Sequence, residues 1–196
     1  GLVETDDWWD IRSERNWGHP GESYSRKLLA EGTWTPLRVR YNTGLRVSDN
    51  GGSLDDLLEA LVVGWPVPVR GLVLIGHSMG GLVLHSALAH TRPDQHWPGL
   101  VRATVTIGTP HQGAAIARGV ARLSPALAKL PETTWIAELI AARPAGMGDL
   151  GHGNLLADDW RNLDPGTLMA EAGTVPLASG IRHCVVIGTV PSKRDG

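Results

Sequence analysis

"LVLIGHSMGGLVL" (Leu72–Leu84) decides how the chain is read. Four apolar residues run into Gly76-His77-Ser78-Met79-Gly80, and a further glycine leads into a second apolar run. A bare G-x-S-x-G is weak, because glycine and serine are common enough for chance to supply it. Its context raises its value. A serine nucleophile of this kind sits on a tight strand-to-helix turn, with a buried strand before it and a helix after it. Leu72 to Ile75 supply the strand, short and wholly apolar as a strand covered on both faces should be. The segment from about Met79 to the residue before Pro93 supplies the helix, with Val83, Leu84, Ala87 and Leu88 at inward spacing. Side chains two residues either side of Ser78 would crowd the turn, which explains Gly76 and Gly80. The helix start places positive potential and free N–H groups beside Ser78. The competing reading is a glycine-rich turn that binds nothing or cradles a phosphate. A phosphate loop would want more spaced glycines and often a lysine.

Outward from this stretch the chain alternates strand and helix. "PLRVRY" (36–41) has the period of a strand, and Asn42-Thr43-Gly44 reads as a turn. "SLDDLLEALVVGW" from Ser53 places Leu54, Leu57, Leu58, Leu61 and Val62 on one helical face. Ser53 is the expected cap, and Pro66 and Pro68 stop the helix. "VRATVTIG" (101–108) and "HCVVIG" (183–188) are further β-rich runs. The order implies an α/β fold with a mostly parallel sheet and flanking helices. Residues 114–180 change texture, with alanine, leucine, proline and glycine and no clear strand. They read as a helical and loop excursion like a lid, within a single domain spanning 1–196.

Composition narrows the function classes. With 196 residues the chain can bury one sizeable core. A net charge of -2 offers no basic stripe, so nucleic acid is not an expected partner. The single cysteine, Cys184, excludes an internal disulfide framework. No apolar run approaches the roughly 20 residues of a membrane span. "GLVETDDWWDIRSERN" lacks the basic start and apolar stretch of a signal peptide. No spacing of histidines with carboxylates or Cys184 makes a metal site, and no cofactor is implied. Nothing supports a membrane-surface role, and oligomeric state and localisation are not legible.

"GHSMGG" followed by a helix, and then a strand running into "GTPHQG" (108–113), resembles the lipase-like α/β-hydrolases. The nearest branch is the one similar to GPI inositol-deacylases. "GESYSRKLLAEGTWTPLRVRYNTG" before "GHSMGGL" resembles bacterial members of that branch. The resemblance covers most of residues 15–113, thins through 114–180 and returns at "HCVVIGTV". It implies that Ser78 is the nucleophile of an acyl-enzyme and that the Met79 backbone N–H is one oxyanion donor. It also implies a second donor after a His-Gly pair. Gly1-Leu2 looks like the end of such a pair, making Leu2 either that donor or simply a terminal residue. The expected partner is an ester or lipid small molecule.

A serine hydroxyl needs a histidine to take its proton and a carboxylate to orient that histidine. In this fold the chain order is Ser, acid, His. Asp195 follows the last strand in roughly the acid's place, without the Gly-Asp-Gly setting usual in the family, and Asp149 is a loop alternative. His111, after a strand near the Ser78 edge, is the best substitute base, although in the resembling proteins this loop shapes the pocket. His77 is expected to pack beside the elbow, His85 and His90 to lie at a helix surface, and His183 to begin its strand at the wrong end for chemistry. His19, His96 and His152 read as loop residues. The resulting expectation is an incomplete α/β-hydrolase domain, lacking a strand before Gly1 and the acid–histidine end. "PLRVRY" and "GLVLIG" should then flank an empty slot, about 4.8 Å on each side. An acyltransferase on the same scaffold, or a non-catalytic lipid- or protein-binding member, are the alternatives.

Overall fold

A computed structural model describes residues 24–111, 155–157 and 177–187. The chain forms two compact units, Gly1–Asn42 and Thr43–Gly196. In the first, α1 spans Tyr24–Ala30 and ends in a turn at Gly32, which takes the positive φ of 72° that glycine tolerates. Residues 36–41 do not form the strand that their alternation suggests. Alternation makes two faces, but a strand exists only where a ladder partner takes its N–H and C=O groups. Leu37 and Val39 are 53% and 46% exposed, and no described strand pairs with them.

In the second unit, Thr43-Gly44 turns as the sequence suggests, and α2 runs from Val47 to Gly64. It begins six residues before Ser53, so Ser53 is not its cap. Instead the Ser53 hydroxyl donates back to the Asp49 carbonyl at 2.9 Å, within the helix. The Gly51-Gly52 pair hid this early turn, because two glycines read as a break. Packing requires the first of them, Gly51. A Cβ on Gly51 would land on the Ser86 side chain and 3.0 Å from its backbone carbon. Ser86 is buried and donates to the Leu155 carbonyl at 2.5 Å, so it has little freedom to move. Gly51→Ala should gain up to about 1 kcal/mol of helix propensity and lose more by overpacking. We expect a net destabilisation of about 1–2 kcal/mol in a urea melt. Net stabilisation would show that the two helices are free to separate. Leu54 and Leu58 are buried as expected, whereas Leu57 is exposed. The helix ends at Gly64, ahead of Pro66.

Next come β1 (Leu72–His77), α3 (Met79–Ala89), a short 3₁₀ turn (Pro98–Leu100), β2 (Val101–Ile107) and, after the long excursion, β3 (Arg182–Val186). The strands form a parallel sheet in the order β1-β2-β3, with Leu74 opposite Thr104 and Thr104 opposite His183. Helix α3 packs on the face carrying Leu74 and Gly76, and α2 packs on α3. The core is Val47, Leu54, Leu58, Leu74, Met79, Leu82, Val83, Leu84, Ala87 and Trp97. On the other face Val73 and Ile75 are 36% and 38% exposed. β1 is thus buried on one face, not on both: alternation sends these two side chains away from α3, and no described helix lies over them.

The loop after α3 is tied to α2 by charge. Buried Asp55 accepts from Trp97 Nε1 and Gln95 Nε2, both at 2.8 Å, and from Arg92 Nη1 at 3.2 Å. Glu59 accepts from the His96 and Trp97 backbone N–H groups, and its other oxygen meets His96 Nδ1 at 2.7 Å. The His96 hydrogen bond is the main reason that the Glu59 carboxyl is held below its usual range. No helix among the described residues is long and apolar enough to cross a membrane.

Candidate active site

Ser78 stands at the junction of β1 and α3. Its backbone, φ 52° and ψ -125°, is the one positive-φ conformation of a non-glycine residue among the described residues. Those angles match the first central position of a type II′ turn, where glycine is ordinarily found. The surroundings enforce the turn. The Ser78 N–H donates to the Ile107 carbonyl at 2.9 Å, extending the β1–β2 ladder past the strand end. The Ser78 carbonyl accepts from the Gly81 N–H at 3.1 Å, opening the helix. Gly76 is needed because a Cβ there would lie 2.7 Å from the Gly80 carbonyl and the Gly81 nitrogen, backbone atoms that cannot step aside. A Cβ on Gly81 would strike the Thr109 side chain, which places the loop after β2 directly on the first turn of α3.

A serine that starts a helix usually caps it with its hydroxyl. The Ser78 hydroxyl makes no such bond. Half-buried at the end of the strand, it is left for another partner. Met79 is the first residue of α3, so its backbone N–H belongs to the group a helix cannot bond internally. Its side chain is fully buried, which anchors that turn.

The histidines are arranged differently from the sequence expectation. His85 is half-buried rather than at the helix surface: its ring centroid is 4.7 Å from that of His111 and 6.3 Å from that of His183. Helix α3 turns this position toward the sheet, where its neighbours are the loop after β2 and strand β3. Burial, then the other two imidazoles, push the His85 pKa down to about 4. His111 is also pulled below its usual value by burial. Its Nε2 shares a 3.0 Å hydrogen bond with Thr106 Oγ1, and its N–H closes a turn onto the Thr109 carbonyl. His183 meets Thr104 Oγ1 through Nδ1 at 2.8 Å and the Ala178 carbonyl through Nε2 at 2.9 Å. His90 is half-buried and donates from Nδ1 to the Ser86 carbonyl at 2.7 Å. Half-buried His77 closes β1 opposite Ile107.

The structure therefore brings together Ser78, the Met79 N–H and the loop carrying Thr109 and His111. Among the described residues no histidine is hydrogen-bonded to the Ser78 hydroxyl. Leu2, Asp149, Asp195, His19, His152 and nearly all of the 114–180 excursion lie outside the described residues. Sequence reasoning missed the contact of His85, His111 and His183. Its trace was the alternation of Thr104 and Thr106 in β2, two hydroxyls on one sheet face with histidines within reach.

The comparisons agree with this architecture. The family model of the PGAP1-like alpha/beta domain matches residues 64–171, more than half of the chain. Among solved structures, the lipase BlEst2 of Bacillus licheniformis in its propeptide form is similar, with a TM-score of 0.51 and 19% identity. The match covers 78% of this chain and 29% of that one, so this chain spans under a third of the lipase's length. No curated protein matches the sequence. A strained strand-to-helix turn at Ser78 on a parallel sheet, with this family match, leads to one conclusion: the chain belongs to the PGAP1-like alpha/beta domain family, with the fold of a lipase-like α/β-hydrolase.

Proposed function

We propose that the chain carries the nucleophile of a lipase- or esterase-type serine hydrolase acting on carboxylic esters. The observation that carries this reading is Ser78 itself, held at φ 52° with its hydroxyl unused as a cap. A packing role explains neither the strain nor the idle hydroxyl. In the reaction, Ser78 Oγ attacks the ester carbonyl while its proton passes to a base. The tetrahedral oxyanion is held by the Met79 N–H at the positive end of α3, with the Leu2 N–H as candidate second donor. The ester C–O bond then breaks, the alcohol leaves with the proton, and Ser78 keeps the acyl group. Water attacks this acyl-enzyme, releasing the carboxylic acid and restoring the hydroxyl. His111 is the described candidate for the base, and Asp195 is the candidate acid. The alanine- and leucine-rich excursion of 114–180 is proposed to receive the acyl chain as a lid-like part of the same domain.

A non-catalytic member that keeps the elbow is the second reading, because His111 Nε2 is engaged with Thr106. A fluorophosphonate probe separates the two. It loses fluoride and adds its phosphonyl group to an activated serine, and intact mass reads the addition. Stoichiometric labelling that Ser78→Ala abolishes would support the hydrolase reading, place the base within these residues and overturn the expectation of a missing acid–histidine end. Labelling that survives the substitution would remove Ser78 as the nucleophile. A folded chain that takes no label would mean that the elbow alone is not a working site, and no label on a longer form of the protein as well would favour the non-catalytic reading.

A further inference from the structure

We propose that His85, His111 and His183 form an acid-sensitive clasp that holds the loop after β2 and strand β3 against α3. It is closed while the three imidazoles are neutral and is loosened when protons enter the cluster. The inference stands on the geometry and not on the hydrolase reading.

The three rings come from three elements far apart in sequence: a helix, a loop and a strand. His85 projects from α3 and lies tilted at 40° to His111 and nearly edge-on, at 70°, to His183. The outer two rings are fixed from below by β2. Thr106 and Thr104, both buried on the α3 face, hold His111 and His183 respectively. The Ala178 carbonyl can only accept, so His183 carries its proton on Nε2. The Thr104 hydroxyl then donates to the bare Nδ1 of the neutral ring. Among the described residues, the titratable groups facing His85 are His111 from the loop and His183 from β3. Among the described residues no carboxylate is paired with any of the three, so an added positive charge meets only other imidazoles. The nitrogens engaged with Thr106, Thr104 and Ala178 also leave no arrangement suited to a metal ion among the described residues.

The sign follows from linkage. An unfolded histidine titrates near 6.5, whereas burial and its two neighbours push folded His85 to about 4. The unfolded or opened form therefore binds the proton more readily. The clasp is fully effective above pH 6.5, weakens as pH falls toward 4, and loses nothing further from this group below that. The limiting shift is about 300-fold in the opening equilibrium. Because the ring is partly reached by solvent, about tenfold or more is the expected effect. The released loop is the one that places Thr109 on Gly81, at the first turn after Ser78.

The test is an NMR titration of the histidine Cε1–H resonances from pH 8 to 3.5, together with thermal melts of the chain and of His85→Gln over the same range. A resonance missing in His85→Gln and titrating near pH 4 is expected. The wild type should lose melting temperature between pH 6.5 and 4 more steeply than the variant. A His85 midpoint at or above 6.5, or equal acid sensitivity of the two proteins, overturns the clasp. If His85→Gln does not fold, His111→Gln is read instead. Removing that neighbour should raise the low midpoint, and an unchanged midpoint overturns the coupling.

Discussion

With Ser78 as the proposed nucleophile, Ser78→Ala is expected to lower kcat/KM on a short-chain p-nitrophenyl ester by about 10⁴-fold or more, because a nucleophile acts in a unit whose loss is not shared out among its neighbours. The same position carries a second, opposite expectation for stability. The φ of 52° at Ser78 costs on the order of 1–3 kcal/mol for any residue with a Cβ. Alanine keeps the Cβ and should leave the melting temperature near wild type. Ser78→Gly relieves the strain and should stabilise by about 1 kcal/mol while being equally inactive. The pair of variants thus separates strain from chemistry. If glycine gives no more stability than alanine, the elbow stores no strain. If Ser78→Ala retains ester hydrolysis, the nucleophile lies elsewhere.

Asp55→Ala is the substitution expected to cost most in stability, about 3 kcal/mol in a denaturant melt. Asp55 is 1% exposed and accepts from Trp97 Nε1, Gln95 Nε2 and Arg92 Nη1. Arg92 is half-exposed and can be rehydrated when the carboxylate goes. Trp97 is fully buried, so its indole N–H would be left without an acceptor next to a new cavity. Asp55→Asn retains an oxygen for the indole and should cost clearly less than alanine. Equal losses for the two would assign the effect to the ion pair with Arg92, and not to the tryptophan.

Most of the described part of the second unit was legible in advance. β1, β2 and β3 fall within a residue or two of the apolar runs that suggested them, and α3 starts at Met79. Long apolar runs and prolines act locally, so one sequence suffices to read them. Errors came where a distant partner decides the outcome. Residues 36–41 have the pattern of a strand but no described partner in a ladder. Gly51 lies inside α2, at the contact where Ser86 meets it, and no local pattern marks that contact. Val73 and Ile75 belong to an apolar run, yet their face is not covered by α3.

The candidate site divides in the same way. The sequence by itself determined the strand-to-helix turn at Ser78, because such a turn imposes its requirements within five residues. Gly76 must clear the Gly80 and Gly81 backbone, whatever the rest of the chain does. Only the tertiary structure decided what surrounds it. The Ser78 N–H finds Ile107, Gly81 receives Thr109, and His85 meets His111 and His183 across elements up to about a hundred residues apart. Such contacts have no local signature. They follow from the register of a parallel sheet, whose neighbouring strands are joined by long crossovers and not by adjacency in the chain.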